Sequence, residues 1–224
     1  MADERTTGLI LRTRPLTETS LIVHWLTPDL GRIATVAKGA RRPKSPFRGK
    51  LDLFYEADFS FARSRRSELH QLREVSLGDI HATLRQELAR LQQASYCATL
   101  VEQTTETETP LPEIFRLFAS LLRHIPQHPP QPLTLFAFEL KLLKQLGQSP
   151  DLQTSQLSAG TKQILEKATQ LDWPALSRLQ LSAPQSREIQ SFLHGFLIYH
   201  LGAIPRGRST ALLASATPSL SSPA

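Results

Sequence analysis

Thirteen consecutive residues, Lys38-Gly39-Ala40-Arg41-Arg42-Pro43-Lys44-Ser45-Pro46-Phe47-Arg48-Gly49-Lys50, hold six cations and no acid. The chemistry open to such a run is the binding of a polyanion. Each Lys or Arg that neutralises a phosphate releases a condensed counterion, which favours nucleic-acid binding without reference to sequence. Charge runs also occur simply as solvated faces. Arg63-Ser64-Arg65-Arg66-Ser67 forms a second, shorter basic stretch. Other residue types that do chemistry are not arranged for it. A phosphate-binding loop of the Walker kind needs a glycine five residues before Gly49-Lys50 and a hydroxyl after it, where Lys44 and Leu51 stand. His124 and His128 have the i, i+4 spacing of two helix-borne metal ligands, but Pro126 interrupts them and no Glu follows the first. Glu102, Glu106 and Glu108 lack a further acid to complete a two-metal site. Cys97 sits among apolar helical positions as a small hydrophobe. His194 and His200 lie beside an apolar stripe as packed or surface residues. No catalytic residue is assigned, no metal or cofactor is called for, and nothing demands an enzyme.

Two prolines and two glycines keep the first basic run out of a regular helix or central strand, so it belongs on an exposed loop between strands. A chain of 224 residues has room for one large or two small domains, and its 40% hydrophobic and 21% charged content is that of a globular protein. The net charge of +6 favours nucleic acid or an acidic membrane surface as partner. The single cysteine excludes an internal disulfide and suits a reducing compartment. No apolar run is long enough to span a bilayer and Met1 to Thr7 is polar, so the expected location is cytoplasmic.

The strands that must carry the loop lie between Thr6 and Leu77. Thr7 to Thr13 is the first, Ser20 to Thr27 the second, and Pro28-Asp29-Leu30-Gly31 turns the chain into Arg32 to Ala37. Beyond the basic loop Leu53, Tyr55, Ala57, Phe59 and Phe61 alternate with Phe54, Glu56, Asp58, Ser60 and Ala62, the period of a strand with one apolar face. Tyr55, Phe59 and Phe61 therefore belong in a core more than on a base-stacking surface. Glu68 to Val75 is the fifth strand. Five short strands with a long basic loop between the third and fourth predict a closed oligonucleotide-binding (OB) barrel, with an SH3-like barrel as the competing choice.

At Gly78-Asp79 the period changes from two to three and four, which sets a domain boundary there. Helices are predicted from Ile80 to Thr104, from Pro112 to Ile125, from Leu133 to Leu146 with Gly147 as C-cap, and from Thr161 to Leu171. A short one lies in Pro174 to Leu179, and a last one runs from Pro184 to Leu201 behind a Ser182–Gln185 capping box. The expected organisation is α+β: a barrel over residues 1–77, an all-α bundle over 78–208, and a disordered tail over 209–224 of Ala, Ser, Thr, Pro and Leu.

Leu11-Arg12-Thr13-Arg14-Pro15-Leu16-Thr17-Glu18-Thr19-Ser20 and Thr35-Val36-Ala37-Lys38-Gly39-Ala40-Arg41-Arg42-Pro43-Lys44-Ser45 resemble the family of the DNA repair and recombination mediator RecO. The likeness continues at Glu68 to Leu72, Phe138 to Gly147 and Tyr199 to Gly202, and reaches about residue 210. It implies an N-terminal OB domain and a C-terminal helical domain. It also implies a non-enzymatic role in DNA repair of the RecF type, near the nucleoid. Such a protein binds single- and double-stranded DNA, anneals strands coated with single-stranded-DNA-binding protein, and loads recombinase together with RecR. No membrane and no small-molecule substrate is implied. DNA contacts are expected at Lys38, Arg41, Arg42, Lys44 and Arg48, with Lys50, Arg63, Arg65 and Arg66 flanking them. Leu140, Lys141, Leu143 and Lys144 are the candidate seat of the partner's acidic tail. Many relatives carry a four-cysteine zinc insertion after the position of Gly147 and Pro150, whereas Asp151 to Gly160 here has no cysteine, so the zinc-binding insertion is expected to be absent. Two other readings of the basic loop stay open: an RNA-binding OB protein, and a protein-interaction adaptor with no DNA role.

Overall fold

Strand β1, Glu4–Pro15, runs well past the segment its alternation predicts and pairs antiparallel with both β2, Leu21–Thr27, and β4, Glu56–Ala62. These elements come from a computed structural model that describes residues 3–216. Strand β3, Gly31–Ala37, pairs antiparallel with β2 and parallel with β5, Leu69–Leu77, and β5 pairs with β4. The order β1-β2-β3-β5-β4 then closes on itself. This is the five-stranded Greek-key closure of an OB barrel, which leaves no long strand edge exposed.

Alternation explains the barrel's filling. Ile33, Thr35 and Ala37 point inward from β3 while Arg32, Ala34 and Val36 stay half-buried. Trp25 stacks on Phe59 with ring centroids 4.0 Å apart, and its Nε1 donates to Thr35 Oγ1 at 2.8 Å, so the one polar atom of the ring is satisfied inside the core. Phe59 and Phe61 are buried with them, which takes both out of reach of a stacked base.

Phe54 is a correction to the expected strand. It belongs by parity to the polar face, yet it is 1% exposed, with φ at +64° and its ring edge against Phe118 at 6.3 Å. A left-handed residue cannot continue a strand, so β4 begins only at Glu56. The turn before it is held by hydrogen bonds from Phe54 N to Ile10 O and from Ile10 N to Tyr55 O.

The first of two compact units holds residues 1–82 together with 105–119. The return of residues 105–119 to the barrel is not signalled by the period change at 78. Its cause is local: Glu108 N donates to Arg32 O at 2.9 Å, Arg32 Nε donates to Thr105 Oγ1 at 2.8 Å, and Gly31 takes φ +68°. A Cβ on Gly31 would stand 1.8 Å from the Thr109 carbonyl oxygen, so only glycine admits this approach.

The second unit holds residues 83–104 and those from 120 onward. Its helices are α1, Leu88–Thr104; the end of α2, Pro112–His124; α3, Pro132–Gln145; α4, Ala159–Gln170; α5, Trp173–Leu176; α6, Ala183–Leu201; and α7, Arg208–Ala216. Helix α1 starts later than its apolar spacing predicts. His81 N bonds the Asp79 side chain at 2.8 Å with φ at +45°, a local turn that competes with helix, and a 3-10 turn over Ala82–Gln86 precedes α1. Gly147, at φ +71°, closes α3 with Gln148 N on Leu143 O, and the Ser182–Gln185 capping box opens α6 as its spacing predicts.

Helix α7 overturns the expectation of disorder from residue 209. Ala211, Leu212 and Ser215 are buried, Ser215 Oγ accepts from Gln93 Nε2 at 2.7 Å, and Arg208 pairs with Glu139. A low-complexity composition hid one turn-to-turn apolar face. The rest of the expected tail, residues 217–224, lies outside the described residues. Among the described residues no helix is long and apolar enough to cross a membrane.

Candidate nucleic-acid interface

Residues 38–50 are a succession of turns: Ala40 N bonds Ala37 O, Arg42 N bonds Gly39 O, Ser45 N bonds Arg42 O, Arg48 N bonds Ser45 O and Lys50 N bonds Phe47 O. Gly39 at φ +68° and Gly49 at φ +73° supply left-handed corners. Phe47, the only aromatic of the run, is buried among Trp25, Phe59 and Val75 and pins the loop to the barrel core. The β1–β2 connection holds the other side. Arg41 N donates to Thr19 O at 3.0 Å, Gly39 N to Ser20 Oγ at 3.4 Å, and Arg41 Nη1 to Thr17 O at 3.4 Å.

On this frame Lys38, Arg41, Arg42, Lys44 and Arg48 are exposed, and none has a carboxylate partner among the described residues. Their charge faces solvent. Lys50 is half-buried, with its Nζ donating to Val75 O at 3.1 Å, so it supports the loop as well as charging it. Thr17, Thr19 and Ser20, part of the motif that carries the family resemblance, have no site role in the sequence reading. The signal was a hydroxyl cluster, Thr17-Glu18-Thr19-Ser20, at a strand-to-strand turn.

The second basic turn divides. Arg65 and Arg66 are exposed. Arg63, expected among the DNA contacts, is instead held by two carboxylates: Nε and Nη2 fork onto Glu4 at 2.7 and 3.0 Å, and Nη1 meets Glu108 Oε2 at 3.0 Å. The Arg63 hydrogen bond lowers the Glu4 carboxyl, and that same bond raises the guanidinium. Glu108 also meets the buried His70 Nε2 at 3.0 Å, while His70 Nδ1 accepts from Ser64 N. The long-range neighbours Glu4 and Glu108 neutralise Arg63, so it does not join the free set.

The expected tail seat on α3 is also corrected. Leu140 and Leu143 are each 1% exposed, because α3 is buried on nearly every side, and they line no open groove. Lys141 donates its ammonium to Leu171 O at 2.7 Å and Thr169 O at 3.3 Å, over the Trp173 ring at 5.7 Å, and burial pushes its pKa down. It caps the end of α4. Lys144 alone of the four is exposed.

The other sites weighed from sequence fall to structural roles. His124 is buried, with its ring against His128 at 4.2 Å and Trp173 at 5.8 Å, and desolvation lowers its pKa to about 4. Burial pushes the Cys97 thiol well up, away from thiolate chemistry. No group of three or more His, Cys, Asp or Glu is placed to hold a metal among the described residues, and the donors after Gly147 do not fit a thiolate zinc site.

A larger cleft of about 680 Å³ lies beyond Phe47, lined by Arg5, Lys50, Asp58, Arg73 and Glu74. Of its charges Arg5 pairs with Glu74 at 3.5 Å and Arg73 with Asp3 at 3.6 Å, while Asp58 accepts from Thr7 Oγ1. The five exposed loop cations, unlike Arg5 and Arg73 of this cleft, have no acid partner among the described residues.

Two family models match the chain: recombination protein O, N terminal, over residues 1–81, and recombination protein O, C terminal, over residues 85–156. Curated relatives named DNA repair protein RecO are similar to it. That of Rhodopirellula baltica is 37% identical across 65% of this chain and 54% of its own length. That of Anaeromyxobacter dehalogenans is 28% identical across 88% of this chain and 91% of its own. That of Alkaliphilus metalliredigens is 33% identical across 70% and 63%. The chain thus spans about half the length of the first of these relatives and nearly all of the second.

Proposed function

The chain belongs to the RecO family of DNA repair proteins, and on that footing we propose that it is a non-enzymatic DNA-binding mediator. It binds single- and double-stranded DNA through Lys38, Arg41, Arg42, Lys44 and Arg48, with Lys50, Arg65 and Arg66 at the flank. The observation that carries this reading is the five exposed loop cations without an acid partner among the described residues, on a loop fixed at both ends. Because turns already order the loop backbone, meeting phosphate costs side-chain entropy but little backbone entropy. By screening two phosphate backbones at once, it brings complementary strands together.

Five neutralised phosphates on a single strand give a slope of log K against log salt of about −3.5. Phosphate contacts carry no base identity, so binding is nearly blind to sequence. The helical unit is the one we assign to partner proteins: the acidic C-terminal tail of single-stranded-DNA-binding protein, and RecR, with which the chain loads recombinase. The test is annealing of complementary strands precoated with the cognate single-stranded-DNA-binding protein. Acceleration that disappears on deleting the coat protein's tail supports the mediator reading. Absence of acceleration on both coated and naked strands, with tighter binding of a matched RNA, would move the target to RNA.

A further inference from the structure

Two hollows flank Arg42, and they differ in the hydroxyl groups that line them. One, of about 410 Å³, lies between the β1–β2 connection and the start of the basic loop, lined by the hydroxyl residues Thr17, Thr19 and Ser20, the cations Lys38 and Arg42, and the apolar Leu16 and Val36. The second, of about 390 Å³, has Leu21, Phe47 and Leu51 at its floor and Arg41, Arg42 and Arg48 around its rim. In the first hollow Thr17 Oγ1 accepts from the Thr19 and Ser20 amides and Ser20 Oγ accepts from Gly39 N, so each hydroxyl still has its proton to donate. Hydroxyl donors beside an ammonium and a guanidinium suit a tetrahedral oxyanion.

No hydroxyl-bearing side chain lines the second hollow; its polar side chains are the guanidiniums at the rim, and Leu21, Phe47 and Leu51 leave its floor apolar. It suits a flat, weakly polar ring, and guanidinium planes at the rim stack on such rings. Arg42 lines both hollows, as successive groups on one strand require.

We propose that the two hollows are adjacent subsites for one nucleotide step of single-stranded DNA: the hydroxyl-lined hollow takes a backbone phosphate, and the apolar-floored hollow takes an unstacked base. This rests on the DNA-binding reading above. A paired base cannot leave the duplex stack without cost, so double-stranded DNA engages the loop through phosphates alone. The base must also leave the hollow when its strand pairs, so an annealed product is held less tightly than its single strands. That asymmetry favours release after annealing.

The test compares a thymidine oligonucleotide with an abasic oligonucleotide of equal phosphate count, binding the full-length protein across a salt series. One stacked base predicts about fivefold or greater preference for the intact strand, with equal salt slopes for the two. Ala40→Leu, which adds bulk at the edge of the apolar hollow, should erase the preference and leave the slope unchanged. Photocrosslinking of 5-iododeoxyuridine should fall within residues 40–51 of the unaltered protein, a readout that does not depend on how the variant folds. Equal affinities at a normal slope, or crosslinks confined elsewhere, overturn the base subsite and leave the phosphate reading standing. Salt-independent, negligible binding of both strands overturns the DNA reading itself.

Discussion

The loop at 38–50 and the turn at 63–66 are both rich in arginine, but the fold treats them differently. Lys38, Arg41, Arg42, Lys44 and Arg48 project from turns tied to Thr17, Thr19 and Phe47 and meet no acid among the described residues. Arg63 sits where the start of β1 and the returning segment at 105–109 each bring a carboxylate, from Glu4 and Glu108. A cation becomes an interface only where the topology keeps acids away from it. The helical unit carries the extreme case: Arg208, 2% exposed, forks onto Glu139 at 2.7 and 3.0 Å, and the buried Tyr96 hydroxyl also bonds that carboxylate.

The contrast between committed and free cations can be broken most forcefully at Arg208. Arg208→Met leaves Glu139 buried with the Tyr96 hydroxyl but without its counter-charge, and the expected loss is about 3–5 kcal/mol in denaturant unfolding, with the salt slope for DNA unchanged. Adding Glu139→Gln should restore part of the loss; no restoration would mean that packing of α7, not the pair, sets the cost.

Acid is the next largest lever. Burial holds His24 and His124 down at about 4, helped by Arg12 and Arg14 for the first and by His128 for the second. Between pH 6.5 and 4 the unfolded chain takes up protons that the folded chain refuses. Stability is therefore full above pH 6.5 and lost as pH falls toward 4, by at most about 1.4 kcal/mol per pH unit for each histidine. Unfolding midpoints measured across this window check it, and a His124→Asn variant with the same pH profile would contradict it for the helical unit.

Arg63→Ala should cost only about 1 kcal/mol of stability, since its pairs with Glu4 and Glu108 are more than a third exposed and screened by solvent. The loop variants Arg41→Ala and Arg42→Ala should move stability by less than about 0.5 kcal/mol, the smallest of these effects, because both side chains are exposed and the one guanidinium bond lost, Arg41 Nη1 to Thr17 O, is long and solvent-facing.

The barrel was legible because alternation in β2, β3 and β4 and the turn at 28–31 each constrain one strand locally. The capping box at Ser182 and the glycine at 147 marked helix ends for the same reason. What the sequence hid is nonlocal. Phe54 is buried because Phe118, sixty-four residues on, meets it, a pairing that no window of alternation contains. Arg63 lost its freedom to acids 59 residues before it and 45 after it. Lys141 looked like a free cation on an amphipathic helix, but the end of α4 claims it. Helix α7 escaped notice because its anchor, Glu139, lies 69 residues upstream. Of the interface, the cations could be read directly, whereas the hydroxyl wall at Thr17 to Ser20 becomes visible only when the two loops are bonded together.

The most direct test of free against committed cations sets three proteins side by side in a salt titration of single-stranded DNA binding: the unaltered chain, the Arg41→Ala, Arg42→Ala pair, and Arg63→Ala. Two lost phosphate contacts should flatten the slope of log K against log salt by about 1.4 in the loop variant. The Arg63 variant should keep the parent slope. Equal flattening in both variants, or an unchanged slope in the loop variant, would contradict the account.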